Sequence, residues 1–341
     1  MALKLIHVGL GGWGTNWETF PLPRVPEVER VAIVEPFEAA LAAAQRTFSL
    51  RDDQCFRTLE DALAAVEADA VLVTTPMETH VPTATVALSA GKHVLVEKPF
   101  AGSVVEARGA VELAEHRGLV LQVSQNYRYY PGARTAARLV AERALGEVGA
   151  VSIDFRQYDN TLPRDSHPHY RFTHPVLMDM AIHHFDLLRM ILGTEPVRVY
   201  ATATSPAWSR YSDEAAATAT ITMSDGVVLS YRGSWISAGQ PTLWSGDWVI
   251  ECADGELAWS GRGQDTTEFD RVSTRRPGER EKSHTLDPVD VHGRAGSLRA
   301  FANAIETGTQ PETSGRANLG SVALMEAAVE SARTGAVVSL P

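Results

Sequence analysis

Two cysteines in 341 residues, Cys55 and Cys252, lie far apart and in no CxxC pair. They are too few for a disulfide framework or a cysteine-based zinc site, and their scarcity fits a reducing compartment. No apolar run approaches the roughly 18 residues of a membrane span. No secretory-type segment precedes the first strand-like run, Leu3–Val8. These absences predict a cytoplasmic protein with no membrane partner. Basic residues are also in deficit, since 31 Lys and Arg against 42 Asp and Glu leave a net charge of −11. Backbone phosphate binding needs clustered cations, so nucleic acid is not expected as a partner. Repeats and low-complexity tracts are missing too. What is left, 44% hydrophobic and 21% charged, has the balance of a globular chain long enough for two domains.

The first third alternates strand and helix signals. Leu3–Val8, Arg30–Glu35, Ala70–Thr74, His93–Glu97 and Leu119–Val123 are short Val/Ile/Leu runs. Alanine-rich amphipathic stretches separate them at Phe37–Phe48, Leu59–Glu67, Val81–Ala90 and Val104–Arg117. Strands apolar on both faces and divided by helices predict a parallel, doubly wound α/β sheet. Beyond about Gln125 the pattern changes to longer alternating segments with hairpin turns such as Ser224-Asp225-Gly226. That predicts a mostly antiparallel sheet, interrupted by a helix over about Leu177–Leu192 and followed by helices near Ser297–Thr307 and Asn318–Thr334. Residues 261–290 read as an irregular surface excursion. The expected division is 1–125 and 126–341.

Gly9-Leu10-Gly11-Gly12-Trp13-Gly14 places G-x-G-x-x-G between the first strand and a helix. The first glycine permits a tight turn, the second lets backbone approach a pyrophosphate, and the third allows close helix–strand packing. Backbone N–H groups at the helix start then face an anion. Trp13 either packs or flanks a cofactor. Glu35 ends the second strand about twenty residues on, where a carboxylate accepts from ribose hydroxyls and repels a 2′-phosphate. Pro36 and Phe37 follow it rather than Arg or Lys, so NAD is expected over NADP.

Two constellations remain. Glu97-Lys98-Pro99 closes a strand, and the proline keeps Lys98 extended at the carboxyl edge of the sheet, where ligands bind. Farther on, Asp179, His183 and Asp186 recur at i, i+4 and i+7, on one face of the interrupting helix. Imidazole titrates near neutrality, so His183 suits acid–base transfer, with Asp179 orienting hydroxyls and Asp186 holding the ring. Metal chelation and a buried polar network are the competing readings of this helix; no metal site is expected. His167, His169, Tyr170, Arg171 and His174 crowd one loop, as a substrate wall or a solvated surface. Arg128, Tyr158 and His174 are the candidates for substrate contact.

These motifs resemble the glucose–fructose oxidoreductase/inositol dehydrogenase (Gfo/Idh/MocA) family over nearly the whole chain. The resemblance rests on the glycine fingerprint, Thr75-Pro76-Met77-Glu78-Thr79-His80, and Ala90 through Pro99. It continues in Gln125-Asn126-Tyr127-Arg128-Tyr129, Leu145-Gly146-Glu147 and the Asp179/His183/Asp186 helix. It implies a Rossmann domain plus a C-terminal α+β domain whose large open sheet pairs subunits into a homodimer or homotetramer. It implies Lys98, Asp179 and His183 as the catalytic set. Thr75, Pro76, His80, Glu97 and Lys98 would stand with Gly9, Gly11, Gly12, Trp13, Gly14 and Glu35 around the cofactor. The implied reaction is hydride transfer between nicotinamide and a carbinol carbon of a sugar, cyclitol or derivative. NAD-dependent glycoside cleavage and non-catalytic sugar or nucleotide sensing are the alternatives in the same fold. Ala181 stands where the family has glycine, and Phe172-Thr173-His174-Pro175-Val176 replaces a glycine-rich approach, which leaves substrate preference open.

Overall fold

The computed structural model describes residues 2–164 and 166–340, and the chain divides into two compact units. The first opens β1 (Leu3–Val8), α1 (Gly12–Thr19), β2 (Val28–Val34), α2 (Glu38–Thr47), β3 (Cys55–Phe56) and α3 (Leu59–Ala65). It continues with β4 (Ala70–Val73), α4 (His80–Ser89), β5 (His93–Val96), α5 (Val104–His116) and β6 (Leu121–Val123). The strands lie in the order β3-β2-β1-β4-β5-β6, every pair parallel. Chain order reverses between β1 and β4. Ligands of doubly wound sheets bind at the carboxyl ends of such a strand pair, and here the glycine turn follows β1.

Residues one apart on these strands face opposite layers. Ile6, Val71 and Val94 pack with Ala84, Leu88 and Ala107 on one side, whereas Leu5, Leu72 and Leu95 pack with Trp17, Leu298 and Phe301 on the other. Leu298 and Phe301 belong to a late helix, so residues 291–319 return to the first unit. This corrects the expected contiguous division. Residues 126–341 are not a single body, because that helix has an apolar face to bury and the first sheet an uncovered face to receive it.

The second unit comprises residues 127–290 and 320–341. It contains α6 (Pro131–Ala141), β7 (Val148–Arg156), α7 (Ala181–Leu192), β8 (Pro196–Thr204), β9 (Ala216–Met223) and β10 (Val228–Ser234). Next come β11 (Asp247–Cys252), β12 (Gly255–Ser260), β13 (Arg271–Arg275) and β14 (Lys282–Ser283). After α8 (Gly293–Thr307) and α9 (Gly315–Thr334), β15 (Val338–Ser339) closes a nine-stranded sheet ordered β14-β13-β12-β11-β7-β10-β9-β8-β15. Only β7 and β10 pair in parallel among these strands. The architecture is thus a doubly wound parallel sheet plus a mixed, mostly antiparallel one. Val151, Ile153 and Phe155 of β7 point inward. On the other face Asp154 pairs with Arg156 at 3.1 Å and with Arg232. A groove of about 460 Å³, lined in part by Arg156, Trp208 and Arg232, opens there. The stretch expected to be irregular supplies β13 and β14. Their pattern is weak because Val272 is the one buried side chain on β13 and β14 is exposed throughout.

Candidate active site

The glycine turn is built as its spacing requires. Gly9 has φ +94°, which a side chain would strain, and a Cβ on Gly14 would meet the Gly9 carbonyl oxygen at 1.8 Å. Gly11 and Gly12 instead face open space, a cradle that a dinucleotide pyrophosphate fits. Below the turn, Thr74 donates to the Gly9 carbonyl at 2.6 Å, and His7 bridges Thr74 at 2.9 Å to Glu18 at 2.7 Å. Burial raises the Glu18 pKa, but His7 and Arg30 outweigh it and hold the carboxyl below its usual value. Nothing in the sequence pattern marks this buried strut, because its members lie on separate elements.

Glu35 is buried, and its two oxygens accept from the backbone N–H groups of Leu10 at 2.8 Å and Phe37 at 3.1 Å. The carboxylate is therefore fixed against the glycine turn, where a ribose diol would meet it. Arg57 was missed from sequence. It donates to the Pro36 carbonyl at 2.8 Å and so sets a cation beside the acid, although it follows Glu35 by a whole helix. Trp13 is 43% exposed with the Arg294 guanidinium 4.2 Å from its ring, whereas Trp17 is fully buried. The Trp17 indole donates to Glu97 Oε1 at 2.8 Å, and the Lys98 amide donates to Glu97 Oε2 at 3.0 Å. Glu97 is thus buried and doubly bound, and Lys98 leaves the end of β5 half-buried, with the Lys98–Pro99 peptide cis.

His80 ties the remaining turns together. Its Nδ1 lies 2.7 Å from the Pro99 carbonyl and its Nε2 2.8 Å from that of Thr75. Burial lowers its pKa, although the two carbonyls favour the cation. The Thr75-Pro76 turn, the Lys98-Pro99 turn and His80 are therefore one construction at the carboxyl edge of the first sheet.

In the second unit the interrupting helix begins later than its periodicity suggests. Pro175–Met180 forms a π-helical turn, and α7 proper starts at Ala181, whose N–H reaches back to Val176. Pro175 supplies no N–H, and its carbonyl accepts from the Trp235 indole at 3.2 Å, outside the helical ladder. Asp179 therefore sits in the wide turn rather than at a regular i, i+4 position before His183.

His183 is buried, and its ring stacks on Tyr127 at 3.9 Å between centroids, the planes 6° apart. The Arg262 guanidinium lies 4.5 Å from the Tyr127 ring and 3.0 Å from Asp265. A cation, a phenol ring and an imidazole thus form one column. His184 bonds Tyr231 at 3.1 Å and the Trp244 carbonyl at 3.1 Å, and burial drives its pKa down to about 4. It is a neutral packing residue.

Three expectations need correction. Asp186 does not hold the His183 ring. It takes the Arg128 guanidinium in a two-pronged ion pair, 2.6 and 2.8 Å, and accepts from Ser321 at 2.9 Å. Arg128 is consequently a buried strut rather than an exposed substrate ligand. The His174 imidazole, expected at substrate, faces Glu214 at 2.9 Å, while the backbone N–H of His174 donates to Asp213. Tyr158, by contrast, stays 48% exposed.

Two family models match the chain: "Oxidoreductase family, NAD-binding Rossmann fold" over residues 3–125 and "GFO/IDH/MocA C-terminal domain" over residues 133–258. Together they take in most of the sequence. The chain belongs to the Gfo/Idh/MocA oxidoreductase family. Among curated relatives, 1,5-anhydro-D-fructose reductase of Ensifer adhaerens is 29% identical, covering 82% of this chain and 81% of that protein. D-xylose 1-dehydrogenase (NADP(+)) 2 of Haloferax volcanii is 28% identical over 98% of each. A solved inositol dehydrogenase homologue from Azotobacter vinelandii, complexed with NADH and myo-inositol, superposes with a TM-score of 0.84. It covers 99% of this chain and 98% of its own, and at 20% identity it speaks for the fold.

Proposed function

We propose that this Gfo/Idh/MocA oxidoreductase oxidises a carbinol carbon of a sugar, cyclitol or sugar derivative with NAD. The observation that carries the reading is the Glu35 carboxylate, fixed by two backbone amides beside a glycine cradle that faces open space. The relatives' names, which concern anhydrofructose and xylose, support a polyhydroxylated substrate.

The nicotinamide, when bound, supplies the hydride acceptor. The chain's own residues supply the rest. His183 is assigned to take the hydroxyl proton on an imidazole nitrogen as the carbon–oxygen double bond forms, Lys98 to donate an ammonium hydrogen bond to substrate oxygen, and Asp179 to accept from a hydroxyl. Proton transfer by a positioned side chain is worth about 10²–10⁴-fold in rate. Lys98→Ala and His183→Ala should each lose at least the lower figure in kcat while NAD titration stays normal. Near-wild-type turnover in both would remove the assignment.

Cofactor choice is argued from Glu35 against Arg57. An acid fixed at the ribose favours NAD, while the guanidinium on Pro36 is a ready partner for a 2′-phosphate. A screen of cyclitols, aldoses and glycosides with NAD and NADP side by side tests both points. Higher kcat/KM with NAD that reverses in Glu35→Ser supports the reading; preference for NADP in the wild type overturns it. Release of an aglycone without NADH accumulation would instead indicate glycoside cleavage. The exposed face of the nine-stranded sheet is proposed to pair subunits, which a monomeric mass in light scattering would refute.

A further inference from the structure

His169 has no part in the reaction just described, yet both of its ring nitrogens face carboxylates. It lies on a short 3₁₀ turn, Pro168–Arg171. Its Nδ1 is 3.0 Å from Asp159 Oδ2, and its Nε2 is 3.2 Å from Asp179 Oδ2. The Nε2 contact is angled off the ideal hydrogen-bond line, so charge holds it more than a directed bond. The Tyr211 hydroxyl donates to the same Asp159 oxygen at 2.8 Å and stands 3.3 Å from Nδ1. Trp235 meets the ring edge-on at 4.9 Å, at right angles.

The protonation state follows from these neighbours. Both ring nitrogens face carboxylates, and only the imidazolium carries an N–H on each. Burial by Trp235 and Tyr211 disfavours that cation, but Asp159 and Asp179 outweigh it and push the pKa up to about 9. His169 in turn lowers the Asp159 pKa, with Tyr211 assisting. The Tyr211 phenol stays neutral, since burial and Asp159 raise its pKa. At neutral pH His169 is therefore an imidazolium, with the Asp159 carboxylate on one side and Asp179 on the other.

We propose that His169 is a positioning residue for Asp179. Clamped between Asp159 and Asp179, it holds the Asp179 carboxyl group in one orientation for accepting substrate hydroxyls. The substrate role of Asp179 rests on the dehydrogenase reading; the clamp itself does not. An anchored carboxylate is an acceptor only, so it selects substrates that present a hydroxyl pair and disfavours those with a carboxylate at that position.

The test combines a titration with kinetics on the full chain. The His169 imidazole resonance, assigned by its absence from His169→Gln, should titrate near pH 9 and move to lower pH by about one unit or more in both Asp159→Asn and Asp179→Asn. Titration near the free-histidine value of about 6.5, or indifference to Asp179→Asn, would overturn the clamp. In kinetics, His169→Gln should lower kcat/KM about 10- to 100-fold with the NAD dissociation constant unchanged. Asp159→Asn, which removes the charge facing His169 Nδ1, should shift the alkaline limb of kcat/KM to lower pH. A merely structural His169 would leave that limb in place, which would refute the positioning role even if His169→Gln fails to fold. A wild type inactive on every polyol would refute the dehydrogenase reading, and the titration would then still decide the clamp.

Discussion

At the scale of single residues, two positions concentrate the chemistry because their surroundings leave no freedom. A methyl group on Gly14 has nowhere to go, since the Gly9 carbonyl oxygen lies 1.8 Å from where it would sit. Overpacking of this kind costs about 1–3 kcal/mol or more, and here the displaced atom is backbone. Gly14→Ala is therefore expected to lower the urea midpoint and to abolish NAD binding together, as read by chemical denaturation and cofactor fluorescence. A variant that binds NAD normally would show that the turn does not cradle it. The second position is Tyr127, whose ring lies between Arg262 and His183. Tyr127→Phe keeps the column and should keep activity. Tyr127→Leu removes the aromatic faces, worth about 0.5–1.5 kcal/mol for the ring pair, and should lower kcat several-fold with NAD affinity retained. Equal activity in the two variants would show that the stack does not orient His183.

Among elements, α8 is the one whose role changes most once the fold is known. Its sequence is that of an ordinary late helix, yet Leu298 and Phe301 are wholly buried against Leu5, Trp17 and Leu95 of the first unit. Removing a buried phenylalanine side chain costs about 3–5 kcal/mol. Phe301→Ala should therefore destabilise the first unit and lower its thermal midpoint, as read by calorimetry, and an unchanged midpoint would contradict this packing. A fragment of residues 1–126 leaves Leu5, Leu72 and Leu95 uncovered and is expected to stay unfolded; a cooperative transition in that fragment would contradict this account. The π turn at Pro175–Met180 has the opposite character. It is short and local, and it is set by one proline and one indole that captures its carbonyl. Such a turn departs from helical spacing by an amount no periodicity registers.

Across the whole molecule, His169 and His184 of the second unit set opposite pH dependences. His169 has a folded pKa of about 9, above the unfolded value, so its contribution to stability is complete below about pH 6.5 and fades as pH rises through 9. His184 has a folded pKa of about 4, below the unfolded value, so its contribution is present above that same pH and fades as pH falls toward 4. Tm should therefore peak near neutrality and decline on both sides. His169→Gln should flatten the alkaline side and leave the acid side unchanged. A scan of Tm against pH in the two proteins checks this, and an alkaline slope that survives in His169→Gln would assign it to other groups.

Read alone, the sequence determined the parallel sheet and the glycine turn, and it put forward Glu35, Lys98, Asp179 and His183 as candidates. Each of these is a local signal: short apolar runs divided by helices, fixed glycine spacing, a short motif ending a strand, or close spacing along one helix. It did not determine that residues 291–319 return to the first unit, that Arg128 belongs to Asp186, or that β13 extends the sheet. Tertiary structure decided those because each depends on which distant surface receives an apolar face or a charge. The same reason hid the column of Arg262, Tyr127 and His183 and the clamp of Asp159, His169 and Asp179. Their members are separated in sequence by loops and strands, and only packing brings a cation to a ring or an imidazole to two carboxylates.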